Sequence, residues 1–93
     1  MFKTNEYFDG KVKSIVLDSA EGNATVGVMA PGEYEFGTSS IEIMTVISGS
    51  LKVMMPGENS WKVYNKFESF VVPKDVKFKV QAQEDTPYLC LYK

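Results

Sequence analysis

Turn-forming residues interrupt this chain so often that no long helix fits between them. Gly, Pro, Asn and Asp recur at short, fairly even intervals, and the runs between them are rich in Val, Ile, Phe, Tyr and Thr. No stretch of sufficient length carries the 3.6-residue apolar repeat of a helix. The sequence therefore predicts an all-β fold of many short strands, arranged as a sandwich or barrel. The predicted strands are Lys11–Leu17, Ala24–Met29, Glu33–Phe36, Ile41–Ile47, Leu51–Met55, Trp61–Tyr64, Ser69–Val72, Val76–Ala82 and Tyr88–Tyr92.

Two of these strands differ in how their faces alternate. Residues 76–82 alternate strictly between apolar and polar, which predicts a half-buried strand with Lys77, Lys79 and Gln81 in water. Residues 41–47 are largely apolar on both faces, so we expect the barrel lumen to cover one face and a second sheet or a partner subunit to cover the other. One face carries Glu42, Met44 and Val46, and the other carries Ile41, Ile43 and Ile47.

The length of 93 residues predicts one domain, spanning residues 1–93. A chain this short buries only about 60–65% of its unfolded surface, so its own core is thin. Pairing with a second copy offsets a thin core, and we therefore expect a homodimer.

Two absences restrict the chemistry. The chain has no His, and all ten basic residues are Lys. It therefore lacks an imidazole base, a His metal ligand and the bidentate guanidinium fork that commonly binds phosphate. The net charge of −2 and the pI near 5.0 argue against a nucleic-acid partner.

Localisation follows from what the sequence does not contain. The single Cys90 cannot form an intramolecular disulfide, and the first residues lack the apolar core of a signal peptide. No apolar run approaches the ~20 residues of a membrane helix. We expect a cytoplasmic protein without membrane contact.

The segment from Gly32 to Gly49 resembles the first motif of the cupins with its metal ligands removed. Glu42 stands seven residues before Gly49, as the motif glutamate does, but the histidine region reads Phe-Gly-Thr-Ser-Ser over residues 36–40. In the second motif Pro73 fits, and the histidine position five residues later is Phe78. The resemblance implies a single small jelly-roll-like cupin barrel without the usual metal site.

The likeness extends over essentially the whole chain to one family. Fragments recur in a fixed order that is similar to the small cupin-type pyrimidine/purine nucleoside phosphorylases. The resemblance implies a homodimeric pentosyltransferase that splits many nucleosides with phosphate, yielding free base and pentose 1-phosphate without a metal or organic cofactor. The fragments are residues 5–8 (NEYF), 10–15 (GKVKSI), 26–29 (VGVM), 32–34 (GEY) and 44–49 (MTVISG), with Pro73 and the ending Tyr88-Leu89-Cys90.

Glu42 is the first candidate for a catalytic residue. Its carboxylate shares a strand face with Met44 and Val46, so desolvation disfavours the charge unless a hydroxyl or a cation satisfies it. A pentose diol would do so, and the carboxylate would oppose the positive charge that develops on the sugar. The alternative is a wetted, inert glutamate at the barrel mouth.

The other candidate residues are predicted to bind substrate. For phosphate we expect the hydroxyls and backbone N–H groups of Thr38, Ser39 and Ser40, with Lys13. A plain polar loop and a surface lysine are the alternatives. Base stacking is expected from Tyr34, Phe36 and Phe78, with Met44 beside Glu42; ordinary core packing is the alternative. Without Arg or His, we expect weak phosphate binding.

Two other classes of function fit the same residues. A cupin barrel that senses a nucleoside or sugar without turnover would also retain Glu42 beside a hydroxyl-rich turn. An interaction protein would use its doubly covered strands only to dimerise. Base release separates the enzyme from the sensor, and nucleoside binding separates the sensor from the interaction protein.

Overall fold

The computed structural model describes residues 1–93 and contains ten strands and no helix. The strands are β1 (Thr4–Tyr7), β2 (Val12–Ser19), β3 (Gly22–Met29), β4 (Gly32–Gly37), β5 (Glu42–Val46), β6 (Ser50–Met54), β7 (Lys62–Asn65), β8 (Ser69–Val72), β9 (Lys77–Ala82) and β10 (Thr86–Tyr92). The all-β prediction is confirmed, and all nine predicted strands occur, with boundaries that differ by a few residues.

Strand β1 was not predicted. It pairs antiparallel with β2, so that Thr4 faces Ile15 and Tyr7 faces Val12. The segment Thr-Asn-Glu-Tyr lies at a sheet edge and is mostly exposed, so it carries no apolar alternation for a sequence pattern to detect.

The strands form two antiparallel sheets that face each other. The six-stranded sheet has the order β1-β2-β3-β10-β5-β8, and the four-stranded sheet has the order β4-β9-β6-β7. Strand β10 is central to the larger sheet because it pairs with both β3 and β5. This arrangement places the inward side chains of β5 and β10 opposite those of β4 and β9.

One hydrophobic core lies between the sheets. Val12, Met29 and Val46 from the six-stranded sheet are fully buried, as are Leu51 and Val80 from the four-stranded sheet. Burying such side chains contributes roughly 1.5–3 kcal/mol each, which makes this packing the main source of stability.

The outer faces of the two sheets differ. On the four-stranded sheet Lys77 and Lys79 are exposed, as the alternation predicts, and the Gln81 amide donates a hydrogen bond of 2.8 Å to Glu33. On the six-stranded sheet the outer face is apolar and lies open. Its exposed residues include Ile15, Val26, Val28 and Val71, with Ile41 and Ile47 at the ends of β5.

The prediction for residues 41–47 is therefore confirmed within this chain for one face only. Met44 and Val46 are buried in the core, whereas Ile41 and Ile47 remain exposed.

None of the elements is a helix of the length and hydrophobicity that a membrane crossing requires.

Candidate active site

A cavity of about 380 Å³ opens between the two sheets. The six-stranded sheet and its first turn supply most of the polar groups, and the four-stranded sheet with the loop after β4 supplies the facing wall. The lining residues are Tyr7, Phe8, Ser14, Met29, Glu42, Met44, Tyr88, Cys90 and Tyr92 on the first side, and Glu35, Phe36, Gly37, Ser39 and Phe78 on the second.

Glu42 is the more buried of the two carboxylates that line the cavity. It begins β5, where it pairs with Tyr92 of β10 on one side and Val72 of β8 on the other. Strand alternation points it to the same face as Met44, which is buried. Burial raises the pKa of Glu42 above its ordinary value, and the hydrogen bond from Cys90 partly offsets that rise.

Cys90 and Tyr88 share the inward face of β10. The Cys90 thiol donates to Oε1 of Glu42 over 3.5 Å. Burial, reinforced by the negative charge of Glu42, raises the pKa of Cys90 to about 12. Burial likewise raises the pKa of Tyr88 to about 12. Both groups are therefore protonated at neutral pH, so neither is present as the anion that acts as a nucleophile, and both are able to donate a hydrogen bond.

The position of Tyr88 depends on a glycine in the neighbouring strand. Gly27 of β3 pairs with Tyr88, and a Cβ built on Gly27 would lie 2.6 Å from the Tyr88 hydroxyl oxygen. It would also lie 2.8 Å from the carbonyl oxygen of Lys13. Only glycine leaves room for the tyrosine ring to lie across β3.

The facing wall is aromatic. Phe36 of β4 pairs with Phe78 of β9, and their ring centroids are 5.8 Å apart with an interplanar angle of 33°. Phe8, in the turn after β1, meets Phe36 edge-on at 5.5 Å. Such a wall presents apolar ring surface to a flat ligand.

The structure brings together part of the predicted site. Glu42, Met44, Phe36, Phe78 and Ser39 all line the cavity. Ser40, Thr38, Tyr34 and Lys13 do not, and three of these have a structural reason.

Thr38 is committed to the backbone around it. Its hydroxyl donates to the carbonyl oxygen of Pro73 over 2.6 Å and accepts from the Val76 N–H over 3.1 Å. The hydroxyl links the loop after β4 to the turn before β9. Its proton is already donated to Pro73, so the expectation that this hydroxyl is free to donate to phosphate is wrong.

Tyr34 and Lys13 also lie outside the cavity. The Tyr34 hydroxyl donates to the carbonyl oxygen of Ala30 over 2.6 Å, so it closes a loop instead of meeting a substrate oxygen. Lys13 alternates with the inward Val12 and Ser14, and its exposed ammonium group lies 3.7 Å from Glu6. Both residues therefore match the alternatives stated for them, because Tyr34 packs in the core and Lys13 is a surface lysine.

Several lining residues were not predicted as site residues from the sequence. Tyr7 and Phe8 belong to the undetected strand β1 and the turn after it. Ser14, Tyr88 and Tyr92 lie on strands that were predicted, and period-two alternation in Tyr88-Leu89-Cys90-Leu91-Tyr92 was a usable signal for the last two. Cys90 is buried, and its contact with Glu42 depends on the register of β10 against β5.

The cavity carries no positive side chain. Its lining includes Glu35 and Glu42 and no lysine. Nowhere in the chain do three or more His, Cys, Asp or Glu side chains cluster closely enough to hold a metal ion. The site therefore presents hydroxyl, thiol and carboxylate groups against an aromatic wall.

Comparison with known proteins identifies close relatives over the full length. The model of the pyrimidine/purine nucleoside phosphorylase family matches residues 2–92. A Pseudomonas putida protein named pyrimidine/purine nucleoside phosphorylase is 57% identical over 93 residues, which cover 100% of this chain and 99% of that relative. A Pseudomonas aeruginosa protein of the same name is 55% identical, with both chains covered completely.

Solved structures agree on the architecture. A protein of unknown function from Vibrio parahaemolyticus superposes with a TM-score of 0.92 at 44% identity, covering 97% of this chain and 96% of that one. An RmlC-like cupin from Shewanella frigidimarina superposes with a TM-score of 0.74 at 21% identity, covering 96% and 80%. The predicted cupin barrel is thereby confirmed.

Proposed function

Because this chain belongs to the pyrimidine/purine nucleoside phosphorylase family, we propose that it is a pentosyltransferase that splits nucleosides with phosphate. A phosphate oxygen bonds to C1′ of the pentose, and the glycosidic C–N bond breaks. The base leaves with the electron pair and takes up a proton, so the products are free base and pentose 1-phosphate.

The observation that carries this proposal is the half-buried Glu42 inside the cavity. Cleavage of a glycosidic bond passes through an oxocarbenium-like state, which a nearby carboxylate stabilises. The pentose hydroxyls donate to the same carboxylate and compensate for its desolvation. Cys90, which stays protonated, holds the carboxylate from the side of β10.

The base contacts the aromatic wall of Phe36 and Phe78. Ring stacking depends on shape and apolar area, whereas a dedicated set of polar groups strongly rejects bases that do not match it. The cavity therefore suits purines and pyrimidines alike, which supports a broad specificity.

Phosphate is held without a cation. The donors at the cavity are the hydroxyls of Ser14, Ser39 and Tyr88, and Glu42 carries negative charge nearby. Neutral hydrogen bonds are about half as strong as charge-assisted ones, so phosphate binds weakly. We expect a high KM for phosphate, and tight saturation in a phosphate titration would contradict this point.

The reaction proposed here uses neither a metal nor an organic cofactor. Phe78 stands at the histidine position of the second cupin motif, and its ring has no atom that ligates a metal. Activity that persists in EDTA would support this part of the proposal.

The working form proposed here is a cytoplasmic homodimer. The outer face of the six-stranded sheet exposes Ile15, Val26, Val28 and Val71, although monomers seldom leave large apolar patches in water. A second copy that covers this face would enlarge the buried area of a chain with a thin core of its own. The opposite, lysine-bearing face would remain in water.

The decisive assay follows base release from uridine and adenosine with and without phosphate, in EDTA. Pentose 1-phosphate is measured in the same samples. We expect phosphate-dependent release, and Glu42→Gln should lower kcat/KM by about 100-fold or more because the carboxylate charge is lost. Glu33→Gln is the matched control, since it makes the same change on the outer face of β4.

Each outcome of this assay is informative. Undiminished release in Glu42→Gln would point to a contaminating enzyme or to an active site elsewhere. Binding of nucleoside without release would favour a sensor. Release that is equal with and without phosphate would identify a hydrolase instead of a phosphorylase.

A further inference from the structure

Phe8 occupies an unusual backbone position at the mouth of the cavity. It follows β1 in the turn to β2, where hydrogen bonds run from the Gly10 N–H to the Tyr7 carbonyl and from the Lys11 N–H to the Phe8 carbonyl. Its φ angle is 54°, in the left-handed region that bulky residues rarely adopt. Such costly conformations concentrate at functional sites, where the surrounding structure maintains them.

The ring of Phe8 is held by contacts on one side. Its centroid lies 4.9 Å from that of Tyr34 and 5.5 Å from that of Phe36. Even so, 42% of the residue is exposed, and Phe8 lines the cavity. The turn therefore fixes an aromatic ring that is partly exposed and lines the cavity.

Phe67 is a second phenylalanine with a positive φ, but it lies away from the cavity. It too has a positive φ, of 67°, in the turn between β7 and β8. It is 67% exposed and does not line the cavity, and the Lys66 ammonium group lies 4.8 Å from its ring centroid. The two phenylalanines share backbone conformation and differ in their surroundings.

We propose that Phe8 is a specificity-determining residue that stacks on the nucleobase at the cavity mouth, continuing the wall of Phe36 and Phe78. This assignment rests on the proposed phosphorolysis only for the identity of the ligand as a nucleoside. Stacking accepts any base because every base has a π-face, and its strength grows with the area covered. Phe8 therefore contributes to both purine and pyrimidine binding, and more to purine binding.

The test compares Phe8→Ala, Phe8→Leu and Phe8→Tyr with the control Phe67→Ala. For Phe8→Ala we expect KM to rise about 10-fold for adenosine and about 3-fold for uridine, with kcat changed less. Phe8→Tyr, which keeps the ring, should stay within about 2-fold of the wild type, and Phe8→Leu should fall between them. Phe67→Ala should match the wild type, and circular dichroism confirms that each variant is folded.

A calorimetric titration with adenosine in the absence of phosphate separates stacking from turnover. Wild-type binding that weakens in Phe8→Ala, without any base release, would support stacking and overturn phosphorolysis. Base release with the same KM in Phe8→Ala and the wild type would overturn stacking alone. An equal KM increase for both nucleosides, or a Phe8→Tyr variant as weak as Phe8→Ala, would also overturn it, because a purely structural role does not depend on base size.

Discussion

The two sheets of this barrel are opposites in how they use their faces. The six-stranded sheet turns Ser14, Glu42, Tyr88 and Cys90 inward and leaves an apolar surface outside. The four-stranded sheet turns aromatic rings inward and places Lys77, Lys79 and the pair Glu33–Gln81 outside. The six-stranded sheet thus combines inward carboxylate, thiol and hydroxyl groups with an exposed apolar outer face, whereas the four-stranded sheet combines an inward aromatic wall with a polar outer face.

This difference shows that outer-face polarity and inner-face chemistry are independent properties of a strand. Period-two alternation assigns residues to faces but does not say what covers a face. In β9 the outer residues are charged, so water covers them. In β5 the outer residues Ile43 and Thr45 lie beside Leu91 and Leu89 of β10, so an apolar partner suits them.

A charge placed on the apolar outer face is the most direct test of how the two outer faces differ. Val26 is exposed at the centre of that face and pairs with Ile15 and Leu89. In a dimer built on this face, Val26→Glu would bury two unpaired carboxylates, each at a cost of several kcal/mol. We expect the dimer dissociation constant to rise by about 100-fold or more, as measured by analytical ultracentrifugation over a concentration series.

Lys79→Glu is the matched control, because it introduces the same side chain on the outer face of the four-stranded sheet. It should leave the sedimentation behaviour unchanged. If Lys79→Glu dissociated the assembly and Val26→Glu did not, the roles of the two faces would be reversed. A wild-type chain that sediments as a monomer at every concentration would contradict the proposed dimer.

Much of the fold was predictable because the physical cause is local. Turn residues at short intervals and β-rich runs determine an all-β chain, and the alternation in β9 predicts its two faces correctly. Strand β1 was missed because an edge strand in solvent needs no apolar pattern. Its existence depends on pairing with β2, which is a tertiary contact.

The site was only partly predictable for a related reason. Glu42, Met44 and Phe78 line the cavity as expected, because motif spacing and strand alternation both place them on inward faces. Thr38 was misplaced because its hydroxyl bonds to Pro73, 35 residues away, and no local pattern reveals that partner. The contact between Cys90 and Glu42 likewise arises from the register of β10 on β5.

Gly27→Ala tests how the interiors of the two sheets differ. In the six-stranded sheet the Tyr88 ring fills the space above Gly27, so Gly27→Ala forces the ring or the backbone to move. We expect a loss of about 1–3 kcal/mol in the free energy of unfolding. We also expect about a 10-fold drop in kcat/KM, since even small displacements of positioning groups are costly. Thermal unfolding and the base-release assay measure the two effects.

Gly37→Ala is the control for stability, because the same change in β4 places the new methyl group 3.9 Å from the Val76 carbonyl oxygen, an ordinary contact. Its melting temperature should lie within about 2 °C of the wild type. Tyr88→Phe removes the hydroxyl and keeps the ring. Wild-type activity in that variant would show that the Tyr88 hydroxyl does not bind phosphate. Gly27→Ala with wild-type stability would contradict the close approach of Tyr88.

The smallest expected effect concerns how Glu42 links stability to pH. Burial raises the pKa of Glu42 above its ordinary 4.5, so the folded chain binds this proton more tightly than the unfolded chain. Its contribution to stability is full below pH 4.5 and is lost as the pH rises through the raised value. Glu42→Gln carries no charge at any pH and escapes this loss. Its melting temperature relative to the wild type should therefore increase from pH 4 to pH 7, while its activity is lost.

Cys90→Ala tests the same link between stability and pH, because the thiol hydrogen bond is the contact that lowers the pKa of Glu42. Removing the thiol should raise that pKa further, so the stability of Cys90→Ala should begin to fall in the same pH range and continue falling to a higher pH than the wild type. A Glu42→Gln variant whose stability differs from the wild type by the same amount at every pH would mean that the carboxylate is as well solvated in the folded chain as in the unfolded one. Glu42 would then impose no stability cost on the interior of the six-stranded sheet.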